Sequence, residues 1–298
     1  MKLSRVLSTA SLLTAVCLGG TAAAWDNGEH HDKVLVLGDS VAFGYIAAVD
    51  SVGYFYTRPD NFIGFANDLG EWFHLDAVNA SCPGATTGSF LSSTAPDNGC
   101  KDYRELYRLH LDYQGTQLEF ATRYLRSHPE VRLVTITLGA NDGLLLEIAC
   151  AEIPNSTPAA VEACIEAGAP AVFAKVAENI GTILADLRAT GYGGAIILTN
   201  YYSTDYSDST QPGITELTAA LNTAIAAPAQ AYGAVVADVF TAFHTVASDP
   251  AFGGQTCKTG LLNPDVSTPN LCNEHPALTG HRLIARTIAH ALRAADLH

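Results

Sequence analysis

Charge is scarce in this chain. Only 15% of its 298 residues are Asp, Glu, Lys or Arg, and 16 basic residues face 30 acidic ones, a formal charge of −14. Nucleic acid and anionic membrane both need a basic face, and the sequence holds no cluster of Lys or Arg. Closely spaced cysteine pairs of the Cys-x2-4-Cys kind are missing too, which excludes a structural zinc site of that type. Fixed-period repeats and low-complexity linkers are absent, so one continuous domain is expected. What is abundant is apolar material: at 48% of the residues it supplies a sizeable core and excludes global disorder.

The first 24 residues read as an export signal. Lys2 and Arg5 form a positive start, Val6 to Leu18 is mostly apolar, and Ala22-Ala23-Ala24 offers a small-residue cleavage site before Trp25. The apolar run is shorter than the roughly 20 residues a spanning helix needs. Cys17 lies within it, but Thr14-Ala15-Val16 is a poor lipoprotein-processing sequence, so secretion rather than lipid anchoring is expected. The expected organisation is a signal peptide over 1–24 and a single domain over 25–298. That mature chain is expected to be a monomer, without an integral membrane segment or nucleic-acid partner.

Six cysteines remain after Cys17 is removed, and six allow 15 pairings. The simplest joins neighbours in sequence: Cys82 to Cys100, Cys150 to Cys164 and Cys257 to Cys272. Each closes a loop of about 15 residues, worth about 3 kcal/mol in the chain-entropy model.

Strands are expected at Lys33–Leu37, Leu133–Leu138, Ala195–Leu198 and Ala234–Val239, with a weaker one at Leu75–Val78. Helical patterns lie between them. From Ala171, the residues Val172, Phe173, Val176, Ile180, Ile183, Leu184 and Leu187 follow a 3.6-residue period that Gly191 ends. Helices are also expected at Leu118–Leu125, Ile214–Ala227 and Gly280–Leu297. This alternation predicts a parallel sheet covered on both faces. Tyr45–Phe65, Gly143–Ala169 and Phe252–Asn273 fit no regular element, and the last two read as disulfide-stapled loops.

Chemistry is concentrated in four segments. Val34-Leu35-Val36-Leu37 runs straight into Gly38-Asp39-Ser40, a buried strand ending in a serine at its carboxyl rim, where open α/β sheets gather ligands. Asn79 to Thr86 is a turn-rich stretch containing Gly84. Gly139-Ala140-Asn141-Asp142 follows a second strong strand, and His275-Pro276 opens the C-terminal helix. Acyl transfer through serine needs a base for the hydroxyl and donors for the developing oxyanion. Ser40 supplies the nucleophile, His275 the base, and the backbone N–H groups of Ser40 and Gly84 with the Asn141 amide supply the donors.

These four blocks, in this order over residues 38–276, resemble those of the SGNH (GDSL) hydrolase superfamily. The resemblance implies a flavodoxin-like three-layer α/β/α sandwich with a central parallel sheet. It also implies carboxylic-ester hydrolysis through an acyl-enzyme on Ser40, with no metal or cofactor. One position departs from the pattern. The family's usual aspartate, three residues before the histidine, is here Cys272. A Ser40–His275 dyad is therefore expected, with a backbone carbonyl near Cys272 accepting the imidazole Nδ1–H; Asp265 is the alternative, and Glu274 is too close in sequence to His275 to orient it.

Each residue also has a plainer reading. Ser40 is a good helix N-cap, Asn141 and Asp142 are common turn residues, and His275-Pro276 suits any helix start. Asp39 and Asp142 read as loop ties, and His281 as structural. His30-His31-Asp32 resembles a metal cluster at a frayed terminus. Asn79-Ala80-Ser81 and Asn155-Ser156-Thr157 match the glycosylation pattern. Leu144-Leu145-Leu146 with Ile148 is either core or one wall of an acyl pocket. Tyr54, Phe55, Tyr56, Phe62 and Phe65 are candidates for the opposite wall. A secreted esterase or lipase is the leading expectation; the alternatives are a carbohydrate O-acetyl esterase and a catalytically silent binding module.

Overall fold

Val34, Leu35, Val36 and Leu37 are wholly buried, as a strand covered on both faces requires. They form β1 (Lys33–Gly38) at the heart of a computed structural model that describes residues 31–46, 53–265 and 272–295. The expected leader 1–24, Cys17 and His30 lie outside the described residues. β2 (Asp76–Asn79), β3 (Val131–Thr137), β4 (Ala195–Thr199) and β5 (Val235–Ala237) complete a five-stranded sheet of order β2-β1-β3-β4-β5. Every pairing in it is parallel.

The helices, in chain order, are α1 (Ser40–Phe43), α2 (Gly53–Tyr56), α3 (Phe65–Phe73), α4 (Thr87–Leu91), α5 (Cys100–Leu106) and α6 (Gln117–Ser127). Then come α7 (Ala140–Ala151), α8 (Pro158–Ala189), α9 (Ile214–Ala226), α10 (Val239–Ala247) and α11 (Leu278–Ala295). α3 packs on β1 and β2, and α11 on β4 and β5; α6 and α8 pack together, with α4 and α9 against α8. The result is the expected flavodoxin-like α/β architecture. In a sheet of this order the strand sequence reverses between β1 and β3, which opens a crevice beyond their carboxyl ends. Ser40 and Asn141 sit two and four residues past the strand ends Gly38 and Thr137 respectively, on that rim.

All five expected strands form within two residues of their expected bounds. The segment Gly143–Ala169 does not stay irregular. α7 occupies its first part and the opening turns of α8 its second. Thr157 caps α8 by accepting a hydrogen bond from the Ala160 N–H, and Pro158 sits at the first helical position. The first turns of α8 are rich in alanine, the best helix former, and mostly exposed. Without a buried stripe they carry no 3.6-residue hydrophobic signal, and Pro170 inside the helix disguises them further. What read as a stapled loop is a stapled pair of helices.

The three disulfides join Cys82 to Cys100, Cys150 to Cys164 and Cys257 to Cys272, as expected. The first ties the Gly84 turn to α5, and the second ties α7 to α8. The third ties a 3-10 turn at Thr256–Thr259 to β7 (Cys272–Pro276), which pairs antiparallel with β6 (Leu262–Pro264). No helix of the described residues is long and apolar enough to cross a membrane.

Candidate active site

Gly38 ends β1 at φ +132°, and a Cβ there would lie 2.0 Å from the Thr137 carbonyl oxygen. Only a residue without a side chain lets the chain turn this tightly against β3. The Asp39 N–H then donates to Thr137 O at 3.0 Å. Asp39 caps α1 by accepting from the Val41 N–H at 2.9 Å, which leaves Ser40 at the first helical position, its N–H pointing out of the helix. Gln117 clasps the turn from 79 residues away: its Oε1 accepts from Gly38 N at 2.9 Å and its Nε2 donates to Gly38 O at 2.8 Å.

Cys82-Pro83-Gly84-Ala85 makes a β-turn closed by the Ala85 N–H donating to Cys82 O at 3.1 Å. Gly84 holds φ +80°, the value a type II turn demands at its third position after proline. A Cβ on Gly84 would lie 2.1 Å from Asn98 O, so this backbone can approach the site only as glycine. Asn141, at the start of α7, is buried. Its Nδ2 donates to Ala85 O at 3.1 Å, and its Oδ1 accepts from Asn98 Nδ2 at 2.9 Å. Asn141 also lines the cavity in front of Ser40, and its amide keeps a second N–H that neither of these bonds uses.

His275 lies on β7 and is buried. Its Nε2 stands 2.9 Å from Ser40 Oγ, within reach for proton transfer. The structure thus brings Ser40, Gly84, Asn141 and His275 together around one cavity. What orients the imidazole differs from expectation. Asn273 Oδ1 lies 2.5 Å from Nδ1 and also accepts from the His275 N–H at 2.9 Å. Asn273 and His275 are two apart on one strand, so their side chains share a face, and a side-chain amide takes the place expected for the Cys272 carbonyl or Asp265. A period-2 reading of Cys272–Pro276 would have found it. Glu274 also comes nearer than its sequence adjacency suggested, with Oε1 3.5 Å from Nδ1.

The cavity in front of Ser40 has a volume of about 450 Å³. Leu144, Ile165, Phe173, Ile214, Leu217 and Leu221 form an apolar wall. Of Leu144, Leu145, Leu146 and Ile148, only Leu144 lines it, beside Glu147; Leu146 packs on Gly168 of α8, and Ile148 is exposed. The expected aromatic wall is not one. Tyr56, Phe62 and Phe65 are buried, and Phe62 and its neighbours stack among Phe43, Phe55 and Tyr45 beneath the site. The Tyr54 side chain lies outside the described residues. Tyr45 reaches the cavity instead, as do Tyr103, Tyr201 and Tyr202, and its ring lies 4.9 Å from that of His275 at 62°.

The sequence matches the model of the GDSL-like lipase/acylhydrolase family over residues 36–283. The chain belongs to this family. It is accordingly a carboxylic ester hydrolase of the serine type. Two solved structures share its fold. Phospholipase A1 from Streptomyces albidoflavus has a TM-score of 0.53 at 18% identity, with 88% of this chain and 99% of that one covered. A catalytic mutant of an acetylxylan esterase from Geobacillus stearothermophilus has a TM-score of 0.51 at 14% identity, covering 88% and 94%. No curated protein sequence matches the chain.

Several residues that carry this GDSL-type site were silent in the sequence. Asn98 and Gln117 act across 43 and 79 residues, beyond any local pattern. Tyr201 donates its hydroxyl to Asp39 Oδ2. Asp142, as expected, is a tie: it accepts from the Thr87 N–H at 2.9 Å and hydroxyl at 2.6 Å. Asn79 is likewise committed, donating to Ala42 O at 2.9 Å and accepting from the Ser81 N–H at 3.0 Å; Asn155 is exposed. Asp32 pairs with Arg132 at 2.8 Å, and the described residues contain no group of His, Cys, Asp or Glu able to hold a metal.

Burial sets two opposed titrations. Asp39 is pushed up to about 7 by burial, against the pull of Tyr201 and the Val41 N–H. His281, wholly buried with neither ring nitrogen hydrogen-bonded, is pushed down to about 3 by burial, with the nearby His275 adding to the shift. Between about pH 4 and 7 the unfolded chain ionises Asp39 more readily, so this group's contribution falls as pH rises. Between about pH 3 and 6.5 the unfolded chain protonates His281 more readily, so that contribution rises with pH. The two should largely cancel near pH 5. Removing one must expose the other: Asp39→Asn, which can still cap α1, should give a stability that climbs with pH relative to the parent. His281→Leu should give one that declines. Urea midpoints from pH 4 to 7 measure both slopes, and parallel profiles would contradict the assignment.

Proposed function

We propose that residues 25–298 form a secreted, monomeric esterase that hydrolyses carboxylic esters with an apolar acyl chain, after a signal peptide over 1–24 is removed. The single observation that carries the mechanism is the 2.9 Å approach of Ser40 Oγ to His275 Nε2 beside the N–H groups of Ser40, Gly84 and Asn141. Ser40 attacks the acyl carbon, its proton passes to Nε2, and the carbonyl electrons move onto an oxygen held by those three donors. The oxyanion collapses, the C–O bond to the alcohol breaks, and Nε2 returns the proton to the departing oxygen. Water then attacks the acyl-enzyme, Nε2 takes its proton, and Ser40 leaves protonated. The residues themselves call for no cofactor or metal.

The apolar wall from Leu144 to Leu221 supports an acyl chain longer than acetyl, since pockets of this size bury most of a ligand's apolar surface. The test is a series of p-nitrophenyl esters from acetate to palmitate, run beside an organophosphonate label. Labelling at Ser40 with turnover rising beyond butyrate is expected. Acetate-only turnover would favour the carbohydrate O-acetyl esterase, and absent labelling would leave only a silent binding module. An intact mass of the exported protein reads the cleavage site directly.

A further inference from the structure

The GDSL family's usual aspartate does two things for its histidine: it fixes the ring by accepting the Nδ1–H, and it supplies a negative charge that favours the imidazolium. Here the first task is met by a neutral group. Asn273 Oδ1 accepts at 2.5 Å and is itself anchored by the His275 backbone N–H at 2.9 Å. That amide holds the tautomer with Nε2 free for Ser40, yet it brings no charge. The Glu274 carboxylate stands 3.5 Å from the same Nδ1, and its backbone is held in place by the Tyr202 hydroxyl donating to Glu274 O at 2.5 Å.

We infer that the work of one aspartate is divided here between two adjacent residues, Asn273 positioning the imidazole and Glu274 supplying the charge. This rests on the proposed roles of Ser40 and His275. Four other groups near the ring do not supply the second task. Tyr45 lies against it, and Tyr202, whose hydroxyl donates to Glu274 O, is raised well above the ordinary value by burial. His281 on α11 stays neutral above about pH 3, and Asp39 lies behind Ser40, bonded to Tyr201. The described residues lining the cavity include no Lys or Arg. Burial pushes the His275 imidazole down and Glu274 pushes it up, the directions this division requires. Glu274 is 60% exposed, so its influence is screened by water and salt.

The acid limb of the kcat/KM profile reports His275 in the free enzyme. Glu274→Gln should move that limb to lower pH and cut the plateau kcat about two- to fivefold, the scale of an exposed charge pair, with KM unchanged. Added salt should shift the parent's limb the same way and leave that of Glu274→Gln where it is. A purely structural residue would show neither. Asn273→Ala should cost about a hundredfold or more in kcat through loss of the tautomer. Asn273→Asp should raise the limb, because an opposite charge at this range moves a histidine by about a unit or more. In that background Glu274→Gln should cost nothing further. A salt-insensitive parent limb, or Glu274→Gln with the parent's profile, overturns the charge role. Asn273→Ala near the parent's rate overturns the positioning role. Failure of the underlying reading looks different: Ser40→Ala would then retain turnover.

Discussion

Ser40→Ala and His275→Ala should each lower kcat by about 10⁴- to 10⁶-fold, and the double variant should be no worse than either alone. The reason is that hydroxyl and imidazole act as one unit: without the base the serine is a poor nucleophile, and without the serine the base has nothing to activate. What survives should be the contribution of the Ser40, Gly84 and Asn141 donors, a residual rate above that of water alone. Circular dichroism and melting of Ser40→Ala should match the parent, since serine Oγ is not the group that caps α1. Asp39 has that task. Additive losses, with the double variant slower by the product of the two, would mean that the groups act at separate steps.

The largest structural effect is expected at Gly38, which touches no substrate. Gly38→Ala places a methyl 2.0 Å from a backbone oxygen of β3 at a φ of +132°. Neither strand can retreat, because Gly38 is paired with Thr137 on one side and clasped by Gln117 on the other. A loss of about 4 kcal/mol or more is expected, in the range that only strain or core disruption reaches. For a domain of this size that lowers the melting temperature by roughly 10 °C or more. Gln117→Ala serves as the graded comparison: it removes two buried hydrogen bonds without a clash and should cost about 1–3 kcal/mol. Should Gly38→Ala melt with the parent, the tight turn into Ser40 is not a constraint on the fold.

The parts of the molecule that were legible share one property: their signal is local and repeated. β1 announces itself by four consecutive buried apolar residues, and the core stripe of α8 from Val176 to Leu187 by its period. The opening turns of α8 were not legible because they project into solvent and bury little. With no buried face there is no periodic pattern, and alanine's preference for helix is too weak a cue beside Pro170. The aromatic segment misled for the opposite reason. Its apolar character was real, but chemistry alone does not say whether Phe62 fills a core or a cavity.

A serine at the end of a buried strand, and a glycine, an asparagine and a histidine following in the GDSL order, are legible in the amino-acid sequence, which also makes neighbour pairing the simplest of the 15 ways to join the six cysteines after Cys17. Each of these is written in contiguous residues, where backbone sterics and loop length act directly. The packing of distant segments, and not local spelling, set what holds the Asn141 amide and what clasps the Gly38 turn. Asn273, Glu274, Asn98 and Gln117 are ordinary polar residues in any linear reading. Asn273 and Glu274 lie beside His275 on one strand, whereas Asn98 and Gln117 gain their roles from distances of 2.9 Å that exist only once separate strands, turns and helices have packed, because a hydrogen bond depends on where two atoms come to rest rather than on how far apart they lie in the chain.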